Sequence, residues 1–207
     1  MSKTITRLFD TYADAKNAVH DLERLGVPHD DLSIIANNAD DAHGTHDDHD
    51  GVNDDGDVTR GVSTGALLGG AGGLLAGLGL LAIPGLGPIV AAGWLASTVA
   101  GAGLGAAGGA ATGTIVGALK NAGHSEDEAH VYSEGVRRGG TLVSARVADT
   151  LATEAEAVLA RHNSVDAATR GTAYRESGWT QFDDTAPDYT RDQIEQERSL
   201  YGRRPID

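Results

Sequence analysis

Hydrophobic and polar positions fall into two rhythms at the start of the chain. Thr4-Ile5-Thr6-Arg7-Leu8-Phe9 alternates with the two-residue period of a half-buried strand. Ala15, Ala18, Val19, Leu22 and Leu25 then recur with the 3.6-residue period that gives a helix one apolar face. Asp10 or Thr11 caps that helix, and Thr11 with Asp14 resembles a capping box. Gly26 supplies the stop, with Pro28 just beyond. Leu32-Ser33-Ile34-Ile35-Ala36 reads as a second strand.

The same rhythms return after Lys120. Ser125-Glu126-Asp127-Glu128 is a capping box opening a helix through Arg137, with Ala129, Tyr132 and Val136 on one face. Gly139-Gly140 ends it, and Thr141-Leu142-Val143-Ser144-Ala145-Arg146-Val147 alternates as a strand. Asp149 or Thr150 caps a further helix with Leu151, Ala155, Val158 and Leu159 inward, closed by Asn163. Residues 164–169 read as a last short strand.

Between these halves the pattern changes completely. From 61 to 119 there is no Asp, Glu, Lys, Arg or His. Gly61, Gly65, Gly69, Gly73 and Gly77 step by four, and so do Gly101, Gly105, Gly109, Gly113 and Gly117. On a helix each series is a side-chain-free stripe that lets a second helix approach closely. Ile83-Pro84-Gly85-Leu86-Gly87-Pro88 lies between them and reads as a turn, through Pro84, Gly85, Gly87 and Pro88. The expectation is an α-helical hairpin over 61–119. Residues 62–83 would span about 33 Å as a helix, enough for a bilayer core, although their hydropathy is marginal once the glycines are counted. Burial of the same apolar surface between soluble protomers is the competing reading. Gly103-Leu104-Gly105-Ala106-Ala107-Gly108 matches a dinucleotide fingerprint, but neither a preceding strand nor an acidic residue at the required distance accompanies it.

The predicted organisation follows. Residues 1–36 and 120–169 are two halves of one α+β domain, each β-α-β, the order of a ferredoxin-like fold with two helices on one side of a four-stranded sheet. Residues 37–60 form an acidic His/Asp linker, 61–119 the hairpin insertion, and 170–207 a polar tail with a short helix from Asp192 to Tyr201, capped by Thr190 with Gln193. The tail's aromatic residues either dock on the domain or leave it unstructured.

Composition narrows the function. The net charge of −14 over 207 residues argues against nucleic acid, whose phosphates would be repelled. Cysteine is absent, which excludes disulfides and thiolate metal sites. The N-terminal 25 residues carry charges throughout and show no signal-peptide pattern. His43, His46 and His49 among aspartates are weak candidates for a divalent metal, against the simpler reading of a solvated linker. His20 reads as a surface residue, His130 as paired with Glu126 and Glu134, and Arg137 and Arg138 as complements to a helix C-terminus. No nucleophile, metalloprotease or phosphate-loop signature is present, so the chain is expected to be non-enzymatic and without a cofactor.

Leu8-Phe9-Asp10 before an Ala-rich helix, the zipper–turn–zipper run and Ala129-His130-Val131-Tyr132-Ser133-Glu134-Gly135-Val136-Arg137-Arg138-Gly139-Gly140 resemble bacterial proteins of the general stress protein 17M-like family over about 3–169. The segment Gly178-Trp179-Thr180-Gln181-Phe182 through Glu197-Arg198 resembles a tail common among such proteins. The resemblance implies a stress-linked protein, often membrane-associated, and no established reaction. Three functions are therefore expected. One is a scaffold attached to the bacterial inner membrane with its domain in the cytoplasm, oligomerising through its glycine faces in the lipid bilayer. The second is a cytoplasmic homo-oligomeric assembly module. The third is a sensor of a small ligand or metal. A protein partner for the tail is not identifiable.

Overall fold

The computed structural model of the chain describes residues 2–39, 79–83, 85–105 and 115–201, with the side chains of 100–105 outside that description. It is a mixed helix and sheet structure built on one five-stranded antiparallel sheet. Strands β1 (Ser2–Phe9), β2 (Leu32–Asn37), β3 (Gly79–Ile83), β4 (Gly87–Gly93) and β5 (Thr141–Ala148) are arranged β1-β5-β2-β4-β3. The central place of β5 fits its sequence: residues on both its faces are buried, so it must be covered from two sides.

Alternation along each strand sends neighbours to opposite faces. Phe9, Ile34, Val143 and Ala92 point to one core, whereas Leu8, Ile35, Leu142 and Ala91 point to the other. The first core is closed by helices α1 (Tyr12–Leu25) and α5 (Ala152–Arg161), through Ala15, Ala18, Val19, Leu22, Ala155, Val158 and Leu159. The second is closed by α2 (Trp94–Gly105), α3 (Ile115–Asn121), α4 (Glu126–Arg137) and α6 (Ala167–Glu176). Each fully buried Leu or Ile in these cores contributes about 1.5–3 kcal/mol.

The helix starts follow their capping chemistry. Thr11 Oγ1 accepts from the Asp14 amide at 3.1 Å and donates to the Asp14 carboxylate at 2.8 Å. Gly26 ends α1 in the left-handed region. Ser125 and Glu128 form a reciprocal box at α4. The expected side-chain cap at Asp149 or Thr150 is replaced by a 3-10 turn over Asp149–Leu151 that leads into α5.

Further expectations are corrected. The sheet has five strands rather than four, because β3 and β4 extend it beyond β2. Helices on one side of the sheet hold for α1 and α5, but the other face is covered as well. The strand expected over 164–169 is reduced to one bridge, Val165 with Leu8, because the Asp166 carboxylate caps α6 by accepting from the Thr169 amide at 2.7 Å. The hairpin between the glycine series is a β-hairpin over 79–93 rather than the meeting point of two helices. Ile83, Ile89 and Val90 are β-branched, and 89–92 is a continuous apolar run that pairs with β2 and is buried on both faces. The turn itself stands where expected: the Leu86 amide donates to the Ile83 carbonyl at 3.0 Å, with Gly85 and Gly87 both at positive φ. Pro88 belongs to β4, opposite Ala82. Pro84 lies outside the described residues, as do Gly61, Gly65, Gly69, Gly73, Gly77, Gly109 and Gly113. Gly101 and Gly105 fall in α2 and Gly117 in α3. Among the described residues, no helix is long and apolar enough to cross a membrane.

Gly93 ends β4 at φ +89, where an added Cβ would lie 2.1 Å from the Leu32 carbonyl oxygen. Gly93→Ala is expected to cost about 3 kcal/mol in urea unfolding through combined strain and clash. A loss below about 0.5 kcal/mol would contradict the β4–β2 packing.

Candidate functional site

The densest polar assembly sits where the C-terminal end of α4 meets the last helix, α7 (Arg191–Tyr201). Glu134 lies on the inward face of α4, one turn before two arginines, and its side chain is 1% exposed. Arg138 Nε donates to Glu134 Oε1 at 2.7 Å, and Arg137 Nη1 donates to Glu134 Oε2 at 3.3 Å. Arg138 also reaches Glu197 Oε2 at 3.2 Å and stacks on the Tyr174 ring at 4.3 Å. Alongside, Arg170 donates to Asp10 Oδ1 at 2.6 Å and lies over the Tyr201 ring at 4.3 Å.

The electrostatics match this geometry. Burial works against the Arg138 charge, but the bond and charge of Glu134, with Glu197, hold its proton more tightly than in an ordinary guanidinium. Burial pushes the Asp10 carboxyl up, with Arg170 opposing. Burial also pushes the Tyr174 hydroxyl far above its usual range. The cleft enclosed by these groups has a volume of about 10 Å³, room for roughly one water. Its cations are matched by carboxylates from the same chain, so the arrangement acts as an internal clamp joining α4, α6 and α7.

A second polar chain crosses from the α3–α4 connection into the sheet. His124 Nε2 and Thr6 Oγ1 are 2.7 Å apart, and Thr6 Oγ1 and Ser144 Oγ 2.9 Å apart. The Tyr132 hydroxyl donates to the Thr6 carbonyl at 2.7 Å, and burial raises that hydroxyl to about 12. Glu128 Oε2 stands 3.9 Å from His124 Nδ1. The order carboxylate, imidazole, hydroxyl resembles a nucleophile relay. Thr6 is only 1% exposed, however, so its hydroxyl has no access to a substrate. A groove of about 600 Å³ lies elsewhere, between the end of α1 and β5. Its Arg146 is held by Asp31 at 2.9 Å and stacks on Trp94 at 4.7 Å.

The anticipated residues fall into place unevenly. His20 is partly exposed and lies 3.5 Å from Glu23, which His29 approaches to 3.3 Å. His130 meets Glu126 at 4.0 Å but not Glu134, which both arginines occupy. Arg137 and Arg138 thus hold a buried carboxylate rather than merely complementing a helix end. His43, His46 and His49 lie outside the described residues. Among the described residues, no group of three or more His, Asp or Glu side chains is arranged to hold a metal ion. The sequence offers Asp10 as a helix cap and Glu134 as a partner of His130, but groups neither with Arg170, Tyr174 or Glu197. One signal was available: Glu134 precedes Arg137 and Arg138 by three and four positions on an apolar helix face. Comparison with family models, curated proteins and solved structures finds no match for the chain.

Two expectations follow from these clusters. Glu134→Ala removes the buried carboxylate that two largely covered guanidinium groups share, leaving Arg138 to Glu197, and should cost about 3 kcal/mol in denaturant unfolding. The double variant Glu134→Leu with Arg138→Met should recover most of that loss, and equal losses in the two proteins would refute the clamp. His124 gives a pH dependence. Burial lowers its pKa below the ordinary 6.5, with Glu128 opposing and Arg7 reinforcing the shift. Between its folded pKa and 6.5 the unfolded chain binds more protons, so stability falls as pH drops through that window and is complete above it. Unfolding free energies of the native chain and His124→Gln, measured from pH 8 to 5, should converge as pH falls. Parallel curves would show that His124 does not titrate in this way.

Proposed function

We propose that the chain is a non-enzymatic, self-associating scaffold whose glycine-stepped stretches pack copies together around a folded α+β domain. One observation carries the reading. In the β3–β4 hairpin Gly79 lies opposite Ala91, and α2 begins at Trp94, directly after β4. The chain therefore enters β3 just after Gly77 and leaves β4 into α2, which carries Gly101 and Gly105, from neighbouring positions at one end of the hairpin. Chain segments that leave the hairpin from neighbouring positions favour the close helix approach that the four-residue spacing implies. Adjacent roots also lower the loop-closure cost of bringing the two series together.

The domain supports a ferredoxin-like core as the finer fold. The order β1-β5-β2, the placement of α1 and α5 on one face, and the Val165 bridge outside β1 favour it, with β3 and β4 as an extension beyond β2. A stress-linked role rests on the resemblance to the general stress protein 17M-like family.

A membrane-attached form is the second reading, favoured by the absence of charge from 61 to 119 between Arg60 and Lys120. Strand pairing of 79–83 shortens the first candidate span to 62–78, about 26 Å as a helix against a hydrocarbon core of about 30 Å. That arithmetic favours assembly between protomers.

Light scattering of the full chain should give a mass of at least two protomers of 21.2 kDa each. Replacing Gly69 and Gly109 with Leu should reduce it to one protomer with an unchanged circular dichroism spectrum, and an unchanged mass would sink the assembly reading. Retention of the native chain in carbonate-washed membranes would instead favour the membrane-attached form.

A further inference from the structure

The end of the described chain lies across the sheet rather than extending from it. After Phe182, residues 183–190 pass over the end where β2 stops, β3 turns into β4 and α4 terminates. The backbone of Asp184 roofs Gly85, and the Asp188 side chain roofs Gly87. Arg137 Nη2 donates to the Pro187 carbonyl at 3.0 Å, and the Tyr189 ring lies 4.8 Å below its guanidinium. Arg191 Nε donates to the carbonyl of Ala39, just beyond β2, at 2.9 Å. The Thr190 amide donates to Gln193 Oε1 at 2.9 Å, starting α7 at this point. On α7, Glu197 meets Arg138, and Arg198 Nε donates to the Gly139 carbonyl at 3.1 Å.

We propose that residues 183–201 form a releasable strap that covers the β3–β4 turn and restrains self-association of the protein. This rests on the assembly reading above. Between 183 and 201 the one fully buried apolar residue is Ile194, with the half-buried Tyr201 against the Tyr174 ring at the far end; over 183–190 the ties include the Pro187 carbonyl and the Tyr189 ring, both on Arg137. A segment held in this way opens at a lower free energy than the strands beneath it. Beneath the strap lie the buried Ile83 and Leu86 of the turn, and the adjoining edge strand β3 exposes Leu80 to 60%. β3 carries none of the charged residues that guard many edges against pairing. Two uncharged hairpins can also approach each other without the repulsion expected from a net charge of −14. The occupant of the uncovered surface is thus a second copy of this chain.

The test uses full-length Glu197→Lys and Ile194→Asp. Glu197→Lys sets a like charge against Arg138 and leaves the Glu134 pair untouched. Hydrogen exchange of 183–201 should become at least about tenfold faster in both variants while amides of β1, β2 and β5 keep their native rates. The mass by light scattering should rise above that of the native chain at equal concentration. A loosened strap with an unchanged or lower mass overturns the proposal. So does acceleration of the sheet amides together with the strap, since the strap would then belong to the core's cooperative unit. Failure of the assembly reading is distinct, because the Gly69 and Gly109 variant would then keep the native mass.

Discussion

The structure depends on β5 entering between β1 and β2. Every backbone bond that joins those two strands into one sheet runs through it: β1 pairs with β5 from Phe9–Thr141 to Ser2–Ala148, and β2 pairs with the opposite edge of β5. The N-terminal β-α-β unit therefore lacks its central strand until 141–148 has been made. Its helix face cannot be covered either, since α1 shares its core with α5. Pairings this distant in sequence bring a loop-closure cost before any burial offsets it. The long uncharged stretch between the two halves is consequently tied at both ends to one domain. The β4–β2 ladder adds a tie in the middle.

That arrangement explains which parts of the fold were legible. Elements set by local chemistry were read correctly: α1 between Thr11 and Gly26, α4 from its Ser125–Glu128 box, α7 from Thr190 with Gln193. Each depends on bonds between residues three or four apart, which a sequence displays directly. The 79–93 hairpin was missed because a continuous apolar run has the same composition in a buried helix and in a strand covered on both faces. The glycine step of four does stop at Gly77 and resume at Gly101, so the interruption was visible. Its meaning depended on β2 as a pairing partner. At 164–169, the apolar Val165 suggested a strand, while Asp166 as a cap for α6 decided the outcome.

The polar clusters were less legible for a related reason. Glu134, Arg137 and Arg138 are close in sequence, but their burial depends on α6 and α7 arriving from 30 to 60 residues later. Exposed, the same three residues would form an ordinary helix-end ion pair worth a few tenths of a kcal/mol. Covered by Tyr174 and Glu197, they form a clamp around one buried carboxylate. The pairing of Arg170 with Asp10 extends it to the start of α1. A buried ion pair of this kind is weak evidence for net stability, and apolar residues of similar volume often stabilise as well. What it specifies is position: two guanidinium groups facing one carboxylate admit few alternative placements of the α4 terminus.

The clamp and the strap meet in Arg137 and Arg138. One face of the arginine pair is committed to Glu134, within α4; the other is offered to Pro187, Tyr189 and Glu197 on the C-terminal arm. The inner contacts are buried and local, whereas the outer ones bridge segments about 50 to 60 residues apart. Loss of the outer set leaves the inner carboxylate satisfied, so the arm can separate without stranding a buried charge. The same cannot be said of Glu134, whose removal would take from both arginines the carboxylate they share and leave Arg138 to Glu197. The asymmetry makes the end of α4 a fixed post to which a removable segment is fastened. It also places the removable segment directly over the β3–β4 turn, where Asp184 and Asp188 lie against Gly85 and Gly87.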